Sequence, residues 1–160
     1  MIQLLSIVPL YNLVESLYDT FKDAVMPVPG SVVYCDLAFG FMEHSGIYVG
    51  HNKIVHLNGN GQIELVTPKE FISSTSAMNI YVSCNEYGST GDHFVAKRAR
   101  SMIGCQRGYN FIMDNCHQFT SGCLSGNFEN SDNFLWMLKM QVSKNIDANS
   151  WRFWSDSGWK

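Results

Sequence analysis

Apolar positions near the start of the chain recur at a helical interval. Leu10, Leu13, Val14, Leu17, Phe21 and Val25 fall on one side, and Asn12, Glu15, Ser16, Asp19, Lys22 and Asp23 on the other. This predicts an amphipathic helix over Leu10–Val25, stopped by Pro27, Pro29 and Gly30. Its mostly acidic polar face favours docking on a core over lying on an anionic membrane. From Gly30 to Cys84 the pattern becomes strand-like, with candidates at Ser31–Phe39, His44–Gly50, Lys53–Asn58, Gln62–Val66 and Met78–Cys84. Pro68–Phe71 reads as one helical turn or a loop. Helices return at Asp92, a cap for an inner face of Phe94, Val95, Ala99, Met102 and Ile103, and Gly104 ends that helix. A short helix over Cys116–Leu124 and another over about Asp132–Lys144 follow, then a tail with Trp151, Trp154 and Trp159. Strands first and helices after predict a single α+β domain, an antiparallel sheet with helices on one side.

The segment from His44 to Leu57 reads as a hairpin. A three-residue loop, His51–Lys53, would set Val49 opposite Val55 and Ile47 opposite Leu57, leaving His44, Tyr48 and His56 on the other face. Tyr48 would then be level with His56. The two imidazoles would be roughly 13 Å apart unless a bulge, at Gly46 or Gly50, or strong twist closed the gap. His51 is expected in the turn, solvated, and His93 beside a helix cap, structural.

Composition narrows the chemistry. Apolar residues make up 46% of the 160-residue chain and charged residues 16%, so it should fold around a core. A net charge of −3, with no basic run, gives no case for nucleic acid or anionic membranes. Five scattered cysteines without zinc spacing argue for a reduced, cytoplasmic setting and against a disulfide framework or metal site. The apolar stretch Met1–Val14 lacks a basic start and a cleavage site, is too short to span a bilayer, and is broken by Pro9, so neither a signal peptide nor a transmembrane helix is expected. Cys35, Cys84, Cys105 and Cys123 read as inert packing. Cys116 stands apart. It is expected in the first turn of a helix, where free N–H groups and the dipole favour thiolate and can receive an oxyanion.

These residues resemble a known family. His44-Ser-Gly-Ile-Tyr-Val-Gly, Ile-Val-His56-Leu and Asn-Cys116-His-Gln-Phe look like the lecithin–retinol acyltransferase (LRAT) domain, patterned H-x-G-I-Y-x-G, a second histidine twelve residues on, and N-C-E-H-F. The resemblance covers roughly Pro29–Gly126, leaving the helix of residues 1–28 and the helix and Trp-rich tail of residues 127–160 as extensions. It implies a circularly permuted papain-like (NlpC/P60) topology, a Cys-His-His triad of Cys116 as nucleophile, His44 as base and His56 as orienting residue, contact between the two histidines, and no metal or cofactor. His117 and Gln118 replace the family's glutamate and histidine, Asp114 stands where asparagine is common, and no counterpart of the animal enzymes' transmembrane tail is expected.

The implied function is a phospholipase A or acyltransferase acting through a thioester, on a lipid or acyl-ester substrate. The N-terminal segment and the tail tryptophans are candidates for contact with a lipid surface, with simple packing the alternative for the tryptophans. A peptidase, amidase or deamidase with the same triad is one rival; a silent binding module is another, against which the intact triad weighs.

Overall fold

The computed structural model describes residues 24–38, 42–107, 112–155 and 159, with the backbone alone for 112–115. The fold is α+β, built on an antiparallel sheet. Its strands are β1 (Val32–Asp36), β2 (Glu43–Gly50), β3 (Lys53–Leu57), β4 (Ile63–Val66), β5 (Tyr81–Asn85), β6 (Gly88–Ser89) and β7 (Ser150–Phe153). The order is β4-β3-β2-β1-β5-β6. β7 runs antiparallel along the other edge of β5, setting Tyr81 against Phe153 and Cys84 against Ser150. The helices are α1 (Pro68–Ile72), α2 (His93–Ser101), α3 (Ile112–Ser125) and α4 (Leu135–Ile146).

Strand alternation divides the apolar residues between two cores. Val32, Ile47, Val55 and Leu57 face α2, α3 and α4, where they meet Ala96, Ala99, Phe119, Cys123, Leu138 and Val142. Their strand neighbours Val33, Tyr48 and Ile54 face the other way, onto Phe71 of α1, Ile80 and Trp154. The three longer helices therefore do share one side, as the grouping of elements predicted. The short α1 covers part of the other. It is fixed by a capping box, in which Thr67 Oγ1 accepts from the Glu70 N–H and the Glu70 carboxylate accepts from the Thr67 N–H.

Several boundaries move. Of the helix expected over Leu10–Val25, the part through Asp23 lies outside the described residues, as do Phe39 and Tyr109–Phe111. Val25 is not helical: its N–H donates to the Phe153 carbonyl and its own carbonyl accepts from Ser155. Asp92 caps α2 as expected, Oδ1 accepting from Phe94 and Val95. The buried face of α2, however, is Val95, Ala96 and Ala99, while Phe94 and Ile103 are exposed. The tail contributes a strand, β7, whose pattern is too short to stand out from its tryptophans. Those tryptophans pack: Trp154 is 2% exposed, Trp151 lies against the helix-side core and Trp159 against the other.

The hairpin register also differs. The loop has two residues, His51 and Asn52, both at positive φ (51° and 59°), a twist that suits a tight hairpin and that asparagine tolerates. Gly50 pairs with Lys53, and an irregularity between Tyr48 and Gly50 leaves Val49 as an extra residue. The bulge restores the alternation that a two-residue loop alone would reverse. Ile47 faces Val55 instead of Leu57, and Gly46, instead of Tyr48, is level with His56.

Candidate active site

The register change brings the histidines together. His44 now sits two residues from level with His56, a diagonal pair on one face rather than four residues off. His44 Nε2 and His56 Nδ1 are 2.6 Å apart. Both rings rest on Phe71: His44 stacks on it at 4.7 Å between centroids, and His56 meets it edge-on at 5.5 Å. Both are buried. Gly46 makes the approach feasible, because a Cβ there would lie 2.8 Å from Ile54 Cγ2 and 2.9 Å from the Val55 carbonyl oxygen.

A fourth residue joins them that the sequence analysis missed. Glu64 on β4 is the cross-strand partner of His56, and its Oε1 lies 3.0 Å from His56 Nε2. The arrangement fixes both tautomers. A carboxylate accepts only, so His56 Nε2 carries the proton. Burial lowers the pKa of His56 and, helped by the neighbouring imidazoles, that of His44 to about 3, so both rings are neutral. Nδ1 of His56 is then bare and accepts from His44 Nε2–H. His44 is left with a bare Nδ1, which can accept a proton. The missing signal was the register of a third strand, which alone puts Glu64 beside His56.

Cys116 comes to β2 on α3 and is 1% exposed. Its Sγ lies 3.9 Å from the Glu43 carbonyl oxygen, with the Ser45 backbone and side chain within reach, so it meets the residues on either side of His44. One expectation needs correcting. α3 begins at Ile112, so Cys116 is in its second turn, not its first. The short apolar run before it was ambiguous between strand and helix, and Ile112 and Met113 are helical. The unpaired N–H groups of the helix start thus belong to residues before the cysteine. The lowered thiol pKa expected there is absent too: burial pushes Cys116 up to about 11, with the hydrogen bonds from Ser45, His117 and its own backbone acting against it. Burial thus favours the neutral form of the Cys116 thiol as it does that of the two imidazoles.

The chain from residue 26 to 129 matches the family model described as lecithin retinol acyltransferase. The chain belongs to the LRAT family. Comparison with curated proteins finds no match. Membership places this LRAT-family protein among acyltransferase-type thiol enzymes, and the match ends before α4.

Beyond the match, α4 adds an open cavity of about 330 Å3 lined by Glu43, Phe134, Leu135, Trp136 and Lys139. Glu43 is common to the cavity wall and to the sulfur's surroundings. Phe134, Trp136 and Met140 are exposed, unlike the tail tryptophans Trp151 and Trp154. Lys139 Nζ lies over the rings of Tyr34 and Trp151, at 4.7 and 5.3 Å. Among the other cysteines, burial raises Cys35 to about 12 and also raises Cys84 and Cys123, which suits inert packing. Cys105, by contrast, is exposed. His51 is exposed in the turn, as expected; His93, at the first position of α2 beside its cap, is exposed too. Among the described residues no group of three or more histidine, cysteine or acidic side chains is placed to hold a metal ion, and no helix is long and apolar enough to cross a membrane.

Proposed function

We propose that this protein is a cysteine-dependent acyl-transfer enzyme that takes an acyl group from a lipid ester, foremost a phospholipid, through a thioester on Cys116. The observation that carries the reading is the directed chain Glu64–His56–His44, which leaves a bare nitrogen on His44 next to the strand residues that hold the thiol. His44 Nδ1 takes the Cys116 proton as the sulfur attacks the ester carbonyl, so the base acts during attack rather than beforehand. The imidazolium so formed is stabilised by His56, which Glu64 holds in the right tautomer. The tetrahedral intermediate collapses to a thioester, and His44 returns the proton to the departing alcohol. Water, an alcohol or an amine then gives a proton to His44, attacks the thioester and frees the thiol. With water the enzyme is a phospholipase A, and with the others an acyltransferase. The cavity on α4 sets an apolar wall of Phe134, Leu135 and Trp136 beside the charged Glu43 and Lys139, and Glu43 also neighbours the sulfur; the apolar wall suits an acyl chain better than a peptide.

Intact-protein mass spectrometry after incubation with phosphatidylcholine tests this directly. An acyl mass on the Cys116 peptide, together with released fatty acid, is the expected result. Cys116→Ala should abolish both, and His44→Ala should slow turnover by about 100- to 10,000-fold, the usual contribution of a general base. Cleavage of peptide amides with no fatty acid released from several lipids would instead assign the site to amide hydrolysis, and full activity in Cys116→Ala would remove the nucleophile from the reading.

A further inference from the structure

On the helix side of β2, three buried polar side chains lie outside the proposed triad: Ser45, His117 and Thr120, exposed by 0%, 1% and 0%. Their hydrogen bonds can be directed from their chemistry. Thr120 Oγ1 is 2.8 Å from the Cys116 carbonyl oxygen, which only accepts, so the threonine proton is committed there. The 3.0 Å bond between Ser45 Oγ and Thr120 Oγ1 must then be donated by Ser45. With the serine proton committed, the 2.8 Å bond between Ser45 Oγ and His117 Nδ1 is donated by Nδ1–H. His117 is thereby fixed in one tautomer, and its Nε2, a bare acceptor, is buried with no hydrogen-bond partner among the described residues. This network ties the turn of α3 that carries Cys116 to the strand residue next to His44.

We propose that Ser45 is the donor that stabilises the ionised sulfur of Cys116, with His117 and Thr120 as positioning residues that hold its hydroxyl ready. In the resting thiol the Ser45 proton points to Thr120. As the Cys116 proton passes to His44, negative charge builds on the sulfur, which then outcompetes a neutral hydroxyl as acceptor, since charge-assisted hydrogen bonds are roughly twice as strong as neutral ones. The Ser45 hydroxyl then turns toward the sulfur. Thr120 keeps its bond to the Cys116 carbonyl and loses only a donor, and His117 Nδ1–H keeps donating to Ser45 Oγ, which makes that hydroxyl a better donor. Ser45 already lies within hydrogen-bonding reach of the sulfur. The inference rests on Cys116 being the nucleophile.

The test is the rate of alkylation of Cys116 by iodoacetamide across pH 7–10, followed by peptide mass spectrometry with no substrate present. Ser45→Ala should move the profile to higher pH, slowing alkylation at a fixed pH about tenfold, the loss of one hydrogen bond to a charged group. Ser45→Thr, which keeps the hydroxyl, should stay near wild type. His117→Met, which removes the donor behind Ser45, should shift the profile in the same direction by less, whereas His117→Gln, which can still donate, should largely restore it. If Ser45→Ala does not fold, the His117 pair decides alone. An unchanged profile in folded Ser45→Ala, or equal profiles for His117→Met and His117→Gln, would overturn the proposal. A drop in turnover without a shifted profile would assign the network a structural role and overturn it as well. Phosphatidylcholine turnover by Cys116→Ala is measured in parallel. If that variant is inactive and the Ser45→Ala profile is unchanged, the nucleophile stands and this proposal falls. If that variant is active, the nucleophile itself is wrong.

Discussion

Hydrogen-bond direction, more than distance, leaves His44 with a bare nitrogen. A pair of neutral imidazoles 2.6 Å apart could share a proton in either sense, and only a third group settles which nitrogen is left bare. Glu64 is that group, through an acceptor that cannot donate. Its side chain is 44% exposed, so solvent screens its charge, and its contribution lies more in orientation than in electrostatics. Glu64→Ala should therefore lower kcat about tenfold while leaving KM near its original value, the loss of one charged-acceptor hydrogen bond behind the base. Glu64→Gln still presents a carbonyl oxygen to His56 Nε2–H and should recover most of the rate. Steady-state kinetics of the two variants separate the cases: equal losses would point to charge, and no loss in either would remove Glu64 from the reaction. His44 and His56 were legible in the sequence because strand periodicity puts them on one face. Glu64 was not, because no local pattern reports which residue of the next strand lies opposite.

Elements set how closely these residues can approach. The hairpin from β2 to β3 was legible as a hairpin, and its faces were assigned correctly from Ile47 and Val55. Its register was two residues off, because a bulge contributes to the count of residues without leaving a mark in the alternation. Arg100 of α2 donates to the carbonyl of the bulged Val49, so a helix distant in sequence helps fix the irregularity. The start of α3 was misplaced for a related reason: a short apolar run carries no period. Gly46 is the position where the hairpin and the site depend on each other most directly. It lies opposite His56 with no room for a side chain. Gly46→Ala should destabilise the fold by about 1–3 kcal/mol, the cost of overpacking, since its nearest neighbours include backbone that cannot give way. It should also cut turnover beyond what the unfolded fraction explains, by separating the two imidazoles. Chemical denaturation and activity measured on the same sample test the two effects. A variant with normal stability and normal kcat would show that the close pairing of β2 and β3 at this point is not needed.

At the scale of the whole molecule, the two cores enclose a set of titratable groups held neutral. His44 and His117 are lowered to about 3 and about 4, both chiefly by burial, and burial also lowers His56. In the unfolded chain all three return to about 6.5. Below that pH the unfolded chain binds protons that the folded protein refuses, so stability present above pH 6.5 is lost as the pH falls toward the folded values. The slope is about 1.4 kcal/mol per pH unit for each histidine fully charged in the unfolded state and neutral in the folded one. Cys116 acts in the opposite sense. Its pKa is raised to about 11, so its contribution is complete at neutral pH and is lost only as the pH rises past the ordinary thiol range. Denaturant titrations from pH 8 to pH 4.5 should thus show a plateau down to about pH 6.5 and a steep decline below it. Replacing a single buried histidine reports its share: His117→Gln cannot ionise, so it should flatten the acid limb by up to one proton's worth whatever it does to stability at pH 8. An acid limb with the same slope in that variant would mean that His117 is already charged in the folded protein. Its Nε2 would then be a donor, and the neutral state assigned to the site would be wrong at that residue.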